Sequence, residues 1–126
     1  MKTLWALLMT GAMSMSAASP LQYLLSVAAS DFHARVQKDS VHFRNVRLGH
    51  VITPEGAKQY ILCGEFEQTK GGEAGWTPFA TIKTSRYEQW IGGQAAGLCQ
   101  RSSVIWDGNK DISSLLKKRL ESLQEK

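Results

Sequence analysis

The sequence predicts an α+β domain, with an N-terminal amphipathic helix, a small antiparallel sheet of three to four strands, a C-terminal helix and one disulfide. Three observations support this prediction. Apolar residues recur at helical spacing towards both ends of the chain, apolar and polar residues alternate in the middle, and turns containing glycine or proline separate the alternating segments. Because we find no internal repeat and no linker, we predict that residues 19–126 form a single domain.

The first eighteen residues have the layout of a secretory signal peptide. Lys2 supplies a positive charge, the run from Leu4 to Met15 is uncharged and largely apolar, and small residues follow up to Ala18. We predict cleavage after Ala18, with cleavage after Ala29 as the alternative. The protein is therefore expected to be periplasmic or secreted, with no integral membrane segment once the signal is removed.

The first helix is predicted to begin at Ser19-Pro20, because serine is a good N-cap and proline is favoured at the first helical position. It continues to about Lys38 with an apolar stripe of Leu21, Leu24, Leu25, Ala28, Phe32 and Val36. Cleavage after Ala29 would leave only its second half. At the other end of the chain, Asp111 is expected to cap a helix whose stripe is Ile112, Leu115, Leu116, Leu120 and Leu123.

Two strands, Val41–Ile52 and Lys58–Gln68, are predicted to form an antiparallel hairpin around a turn that contains proline and glycine. Within the first strand, Phe43 and Val46 are out of phase with each other. A bulge or turn at Asn45 would reconcile them, so that both side chains point to the same face. In the second strand, one face is predicted to contain Tyr60, Leu62 and Phe66.

The remaining strands are shorter. Phe79–Thr84 is predicted as the third strand and Val104–Trp106 as a further short one. The segment Tyr87–Cys99 stays open between helix and strand, because its aromatic residues have helical spacing while its glycines oppose a long helix. Trp90 and Trp106 are interpreted as core residues.

Cys63 and Cys99 are the only cysteines, and the expected compartment decides how they are interpreted. In an oxidising compartment such a pair is normally joined. Closing a loop of this length contributes about 4 kcal/mol in chain-entropy arithmetic. The three histidines do not have zinc-motif spacing, and Cys-x-x-Cys is absent. The sequence therefore predicts a disulfide, no metal and no cofactor.

The candidate binding residues lie on the hairpin and after a loop. Glu65 and Glu67 share a strand face, and paired carboxylates can act in acid–base chemistry, although alternate glutamates on a hairpin are typical of a solvated face. His50 is a third candidate. Trp76 directly follows the glycine-rich loop Thr69–Gly75 and is the best candidate for an exposed anchor. No nucleophile has a base and an orienting group beside it in a known motif, so no catalytic residue is assigned.

The formal net charge is +4, and the basic residues are spread along the chain. Arg44 and Arg47, with His42, are expected to form a basic stripe beside the first strand. Nucleic-acid binding would need more positive charge, clustered and interleaved with aromatic residues. We therefore expect no nucleic-acid partner and favour a protein partner in the periplasm.

Three short motifs occur in order: Asp39-Ser40-Val41-His42-Phe43-Arg44-Asn45-Val46, Cys63-Gly64-Glu65 and Gly75-Trp76-Thr77-Pro78-Phe79. Their order resembles that in a group of small exported proteobacterial proteins of uncharacterised function. The resemblance covers about residues 39–79 and departs from the group's pattern in the glycine-rich loop. It implies an exported α+β domain and brings no known activity with it.

These observations favour a small, exported, non-enzymatic binding or inhibitory protein whose ligand the sequence does not identify. Three alternatives remain open. The protein could be an immunity protein against a periplasm-acting toxin, or a subunit of an envelope assembly that docks through the helix Leu21–Val36. The third alternative is a small hydrolase that uses Glu65, Glu67 or His50.

Overall fold

The structure is a computed structural model, and it describes residues 19–36, 41–68 and 75–124. The predicted signal peptide and the loop from Thr69 to Ala74 lie outside these ranges. The first helix ends at Arg35 and not near Lys38 as expected, because Val36 adopts an extended conformation. In chain order the elements are α1 (Pro20–Arg35), β1 (Val41–Ile52), β2 (Lys58–Gln68), β3 (Thr77–Lys83), β4 (Tyr87–Ile91), α2 (Gly93–Cys99), β5 (Ile105–Trp106) and α3 (Ser113–Gln124).

The five strands form one antiparallel sheet in the order β4-β3-β2-β1-β5. The α+β class is confirmed, but the expected count of three to four strands is wrong. The additional strand lies in the segment Tyr87–Cys99, which contains both a strand and a helix. Gly92, with a φ of 91°, separates the two, because a positive φ ends the strand at little cost for glycine.

The predicted bulge at Asn45 is confirmed. Arg44 pairs with Glu65 and Arg47 pairs with Cys63, so that β1 has one more residue than β2 between these pairs. Asn45 has a φ of 56°, a left-handed conformation that asparagine tolerates better than most residues. The extra residue changes the phase of β1, so that side chains three positions apart can point to the same face.

The inner face of the sheet, as we call it, is covered by α1 and α3. At its centre the Phe32 ring of α1 meets Phe43, Phe66 and Phe79 edge to face, each at a centroid distance of 5.0 Å. The predicted row of Tyr60, Leu62 and Phe66 packs in this cluster, as expected. Gly64 belongs to the same row, and Val46 and Phe79 fill the space beside it, since a Cβ there would lie 2.6 Å from the Val46 side chain.

Helix α1 begins as predicted, with the Ser19 hydroxyl accepting a hydrogen bond from the Gln22 backbone N–H at 3.1 Å. Its apolar side is buried in the core through Leu24, Leu25, Ala28, Ala29 and Phe32. Helix α3 starts at Ser113, two residues after Asp111, whose carboxylate accepts from the Ser113 backbone N–H at 2.9 Å. Within the described ranges, none of the helices is long and apolar enough to cross a membrane.

The opposite, outer face is covered only in part. Helix α2 lies over β3 and β4, and its buried residues Ala95 and Leu98 pack in a second, smaller core that also contains Ile61, Ala80, Ile82 and Val104. The predicted disulfide is confirmed, because Cys63 in β2 is bonded to Cys99 at the end of α2. The disulfide therefore fastens α2 to the middle of the sheet.

Candidate functional site

The bulge in β1 brings two arginines to the outer face, where each lies against a tryptophan. The Arg44 guanidinium carbon is 4.3 Å from the centroid of the Trp76 ring. The Arg47 guanidinium carbon is 4.0 Å from the centroid of the Trp106 ring. Both distances are within the range of cation–π attraction. We call this group, together with Glu65, the arginine–tryptophan patch.

Glu65 lies opposite Arg44 on the neighbouring strand β2. Its carboxylate accepts a hydrogen bond from Arg44 Nε at 2.7 Å and another from the Asn45 side-chain amide at 3.2 Å. The hydrogen bond from Arg44 lowers the pKa of Glu65, and the amide of Asn45 lowers it further, which together outweigh the opposing effect of desolvation. Glu65 is therefore ionised at neutral pH and is unsuited to act as a general acid.

Trp106 occupies the space that a side chain at Gly49 would fill. A Cβ on Gly49 would lie 2.8 Å from Trp106 Cε3, closer than real contacts allow. Gly49 and Trp106 are also directly paired between β1 and β5. The glycine therefore lets the indole lie close to the strand, with Arg47 stacked on it.

A cavity of about 200 Å³ opens beside the patch. Its lining includes the disulfide and the polar side chains of Asn45, Arg47, Glu65 and Gln100. The volume is below the range of about 300–1,000 Å³ that is usual for drug-sized ligands. The cavity therefore has room for a single side chain, with a cation and a carboxylate in its lining.

The structure brings some of the predicted binding residues together and separates one. Trp76 is half-buried and belongs to the patch with Glu65. Glu67 lies two residues further along β2, opposite His42, and so shares the outer face. His50 lies on the inner face and is buried. His50 therefore lies on the opposite side of the sheet from Glu65 and Glu67, and the three residues proposed for the hydrolase alternative do not share a cleft.

His50 has a different set of contacts. Its Nδ1 atom is 2.9 and 3.0 Å from the two carboxylate oxygens of Asp107, just after β5. Since an ionised carboxylate only accepts hydrogen bonds, Nδ1 donates. The Asp107 backbone N–H in turn donates to the Leu48 carbonyl at 2.9 Å. These contacts fasten the end of β5 to β1, which is a structural role.

The sequence reasoning missed three patch residues as site residues: Arg44, Arg47 and Trp106. The shared face of the two arginines could have been predicted from the sequence. They lie on either side of the predicted bulge at Asn45, and a bulge places residues three positions apart on one face. Trp106 packs beside the second core as expected and also stacks with Arg47.

In the part of the chain that the structure describes, no group of three or more histidine, cysteine, aspartate or glutamate residues is placed to hold a metal ion. Comparison of the whole chain with protein-family models, with curated proteins and with solved structures finds no match.

Proposed function

We propose that this protein is a small, exported, non-enzymatic protein that binds a protein partner through the arginine–tryptophan patch. The observation that carries the proposal is the pair of arginine–tryptophan stacks, one of them hydrogen-bonded to Glu65, on a sheet face that α2 leaves partly uncovered. Tryptophan and arginine are the residues most enriched among those that dominate binding energy at protein interfaces.

The patch is held in place before any partner arrives. Arg44 is stacked on Trp76 and hydrogen-bonded to Glu65, although its side chain is 47% exposed. A long side chain that is already ordered loses less entropy on binding than a free one. The exposed guanidinium and the adjacent cavity can then receive an acidic or aromatic side chain of the partner.

The resemblance to small exported proteobacterial proteins that we propose from the sequence is compatible with the same surface. The three motifs that carry it are far apart in the sequence, yet each contributes to the patch or its cavity. Arg44 and Asn45 come from the first motif, Glu65 from the second, and Trp76 and Pro78 from the third. A shared binding surface would account for this convergence.

The proposed export rests on the sequence of residues 1–18 and is compatible with the disulfide. Helix α1 favours cleavage after Ala18 over cleavage after Ala29. The later site would remove the Ser19 cap and the buried side chains of Leu24 and Leu25 from the inner core. Sequencing the N-terminus of the exported protein tests this: Ser19 is expected first, and Ser30 would contradict the proposal.

Affinity capture tests the binding function. The tagged, exported protein is incubated with periplasmic extract of the source organism, and we expect one partner to co-purify in a constant ratio. Truncating a central side chain of such a surface costs about 2 kcal/mol or more, so Trp76→Ala and Arg47→Gln should each weaken binding at least about tenfold.

Arg101→Gln is the matched control, because Arg101 is an exposed arginine that does not belong to the patch. It should leave recovery unchanged. If no partner is recovered, or if Trp76→Ala captures the partner as well as the unmodified protein does, the proposed function is wrong.

A further inference from the structure

A second cavity opens on the outer face, at the end of the sheet away from the bulge. It has a volume of about 340 Å³ and is roofed on one side by the end of α2 and the segment that follows. Its apolar lining is formed by Val51, Ile52, Ile61, Ile82, Trp90 and Leu98. The volume lies at the lower end of the range of about 300–1,000 Å³ that is typical of small-molecule sites, and an apolar lining with a few polar groups is their usual composition.

The polar groups around this cavity differ in whether they already have partners. The Trp90 indole N–H donates to Glu88 Oε1 at 3.0 Å, and the Gln59 side-chain amide donates to the Lys83 carbonyl at 3.1 Å. Within residues 19–36, 41–68 and 75–124, the Arg101 guanidinium makes no hydrogen bond or ion pair. Among the described residues, the Arg101 cation beside this apolar cavity therefore has no side-chain partner.

We propose that this cavity binds a medium-chain fatty acid, with the acyl tail on the apolar lining and the carboxylate on Arg101. A guanidinium presents two parallel N–H donors that match the two oxygens of a carboxylate. Glu88 lines the same cavity and repels a headgroup with two negative charges more strongly than one with a single charge, which favours a carboxylate over a phosphate monoester. Each methylene buried on the apolar lining adds to binding, so the tail supplies most of the affinity.

Binding of decanoate to the full, disulfide-bonded protein tests the proposal. Titration calorimetry below the micellar concentration compares decanoate with decanol and with decyltrimethylammonium, which share the tail and differ in headgroup charge. Decanoate should bind about two- to fivefold more tightly than decanol, since an ion pair with an exposed arginine is weak, and more tightly still than decyltrimethylammonium, whose charge Arg101 repels.

Two variants separate this site from the patch. Arg101→Gln should remove the preference for decanoate over decanol, while Arg47→Gln should bind decanoate as the unmodified protein does. Equal affinity for all three ligands, unchanged decanoate binding by Arg101→Gln, or absence of binding at millimolar decanoate would each overturn the proposal. The partner-binding function predicts the opposite pattern: Arg47→Gln should weaken capture of the partner, and Arg101→Gln should not. Either proposal can therefore fail without the other.

Discussion

The two faces of the sheet are covered by different amounts of protein. The inner face lies under helices of 16 and 12 residues and is filled by large side chains around Phe32. The outer face lies under a helix of seven residues, and its core contains the small residues Ala80 and Ala95. The patch and the 340 Å³ cavity are both on the outer face. We therefore expect the inner face to supply most of the stability, while the outer face contains the surface for which we propose binding.

The thin cover of the outer face explains why the disulfide is where it is. A seven-residue helix is far too short to be stable alone, and α2 contains Gly93 and Gly97, which weaken it further. Few large apolar side chains hold α2 on the sheet. The bond from Cys99 to Cys63 adds a covalent attachment between α2 and the sheet.

The largest expected effect comes from breaking the inner face. Phe32→Ala should lower the free energy of unfolding by about 3–5 kcal/mol, because Phe32 is fully buried and contacts three other rings. On the outer face, Leu98→Ala should cost about 2 kcal/mol, since Leu98 already borders a cavity. Urea unfolding measures both, and a larger loss for Leu98→Ala than for Phe32→Ala would reverse the comparison.

Removing the disulfide should have the next largest effect. Replacing both cysteines by serine is expected to lower stability by about 2–4 kcal/mol, as for other disulfides. The loss should also be uneven, because the bond holds α2 and not the inner helices. Hydrogen exchange should show faster exchange in Gly93–Cys99 and little change in Pro20–Arg35. Equal acceleration in both helices would show that the two layers are not independent.

Much of the fold that underlies this comparison could be predicted from the sequence. The bounds of β1 and β2, the start of α1 and the bulge at Asn45 were predicted, because each depends on neighbouring residues through alternation, capping or a change of phase. The disulfide was also predicted, since only one pairing of Cys63 and Cys99 exists.

The strand–helix segment and the patch required tertiary information. Tyr87–Ile91 is short, and its pairing with β3, which no local pattern reveals, decides that it is a strand. The patch joins Arg44 to Trp76 and Arg47 to Trp106, and these residues are brought together only by the register of the strands. The position of His50, buried on the inner face and in contact with Asp107, also follows from the register of the strands.

A substitution with a smaller expected effect tests whether the patch depends on the contact between Trp106 and Gly49. In Gly49→Val the new side chain would collide with Trp106, so Trp106 must move away from the strand and from Arg47. We expect a loss of about 1–3 kcal/mol and altered tryptophan fluorescence. Gly97→Ala is the control, because no atom lies near its Cβ position. Unchanged fluorescence in Gly49→Val would show that Trp106 is not held against this glycine.

The smallest expected effect comes from removing the carboxylate of Asp111, which holds the bulge at Asn45. The backbone N–H of Asn45 and that of Val46 donate to the Asp111 carboxylate at 2.9 and 3.1 Å, from the segment that leads into α3. Burial opposes ionisation of Asp111, but the hydrogen bonds from Ser113 and from these two N–H groups outweigh it and lower the pKa of Asp111. Its carboxylate is therefore more acidic in the folded protein than in the unfolded chain.

A lowered pKa fixes the direction of the pH dependence. The stabilisation by Asp111 is complete above the unfolded value of about 3.9 and is lost as the pH falls through the lower, folded value. Asp111→Ala should cost about 1 kcal/mol at pH 7 and should lose less further stability on acidification than the unmodified protein does. Urea unfolding at pH 7 and pH 3 measures this, with exposed Glu55→Gln as the control. If Asp111→Ala leaves the pH dependence unchanged, the carboxylate does not hold the bulge that directs Arg44 and Arg47 to the outer face.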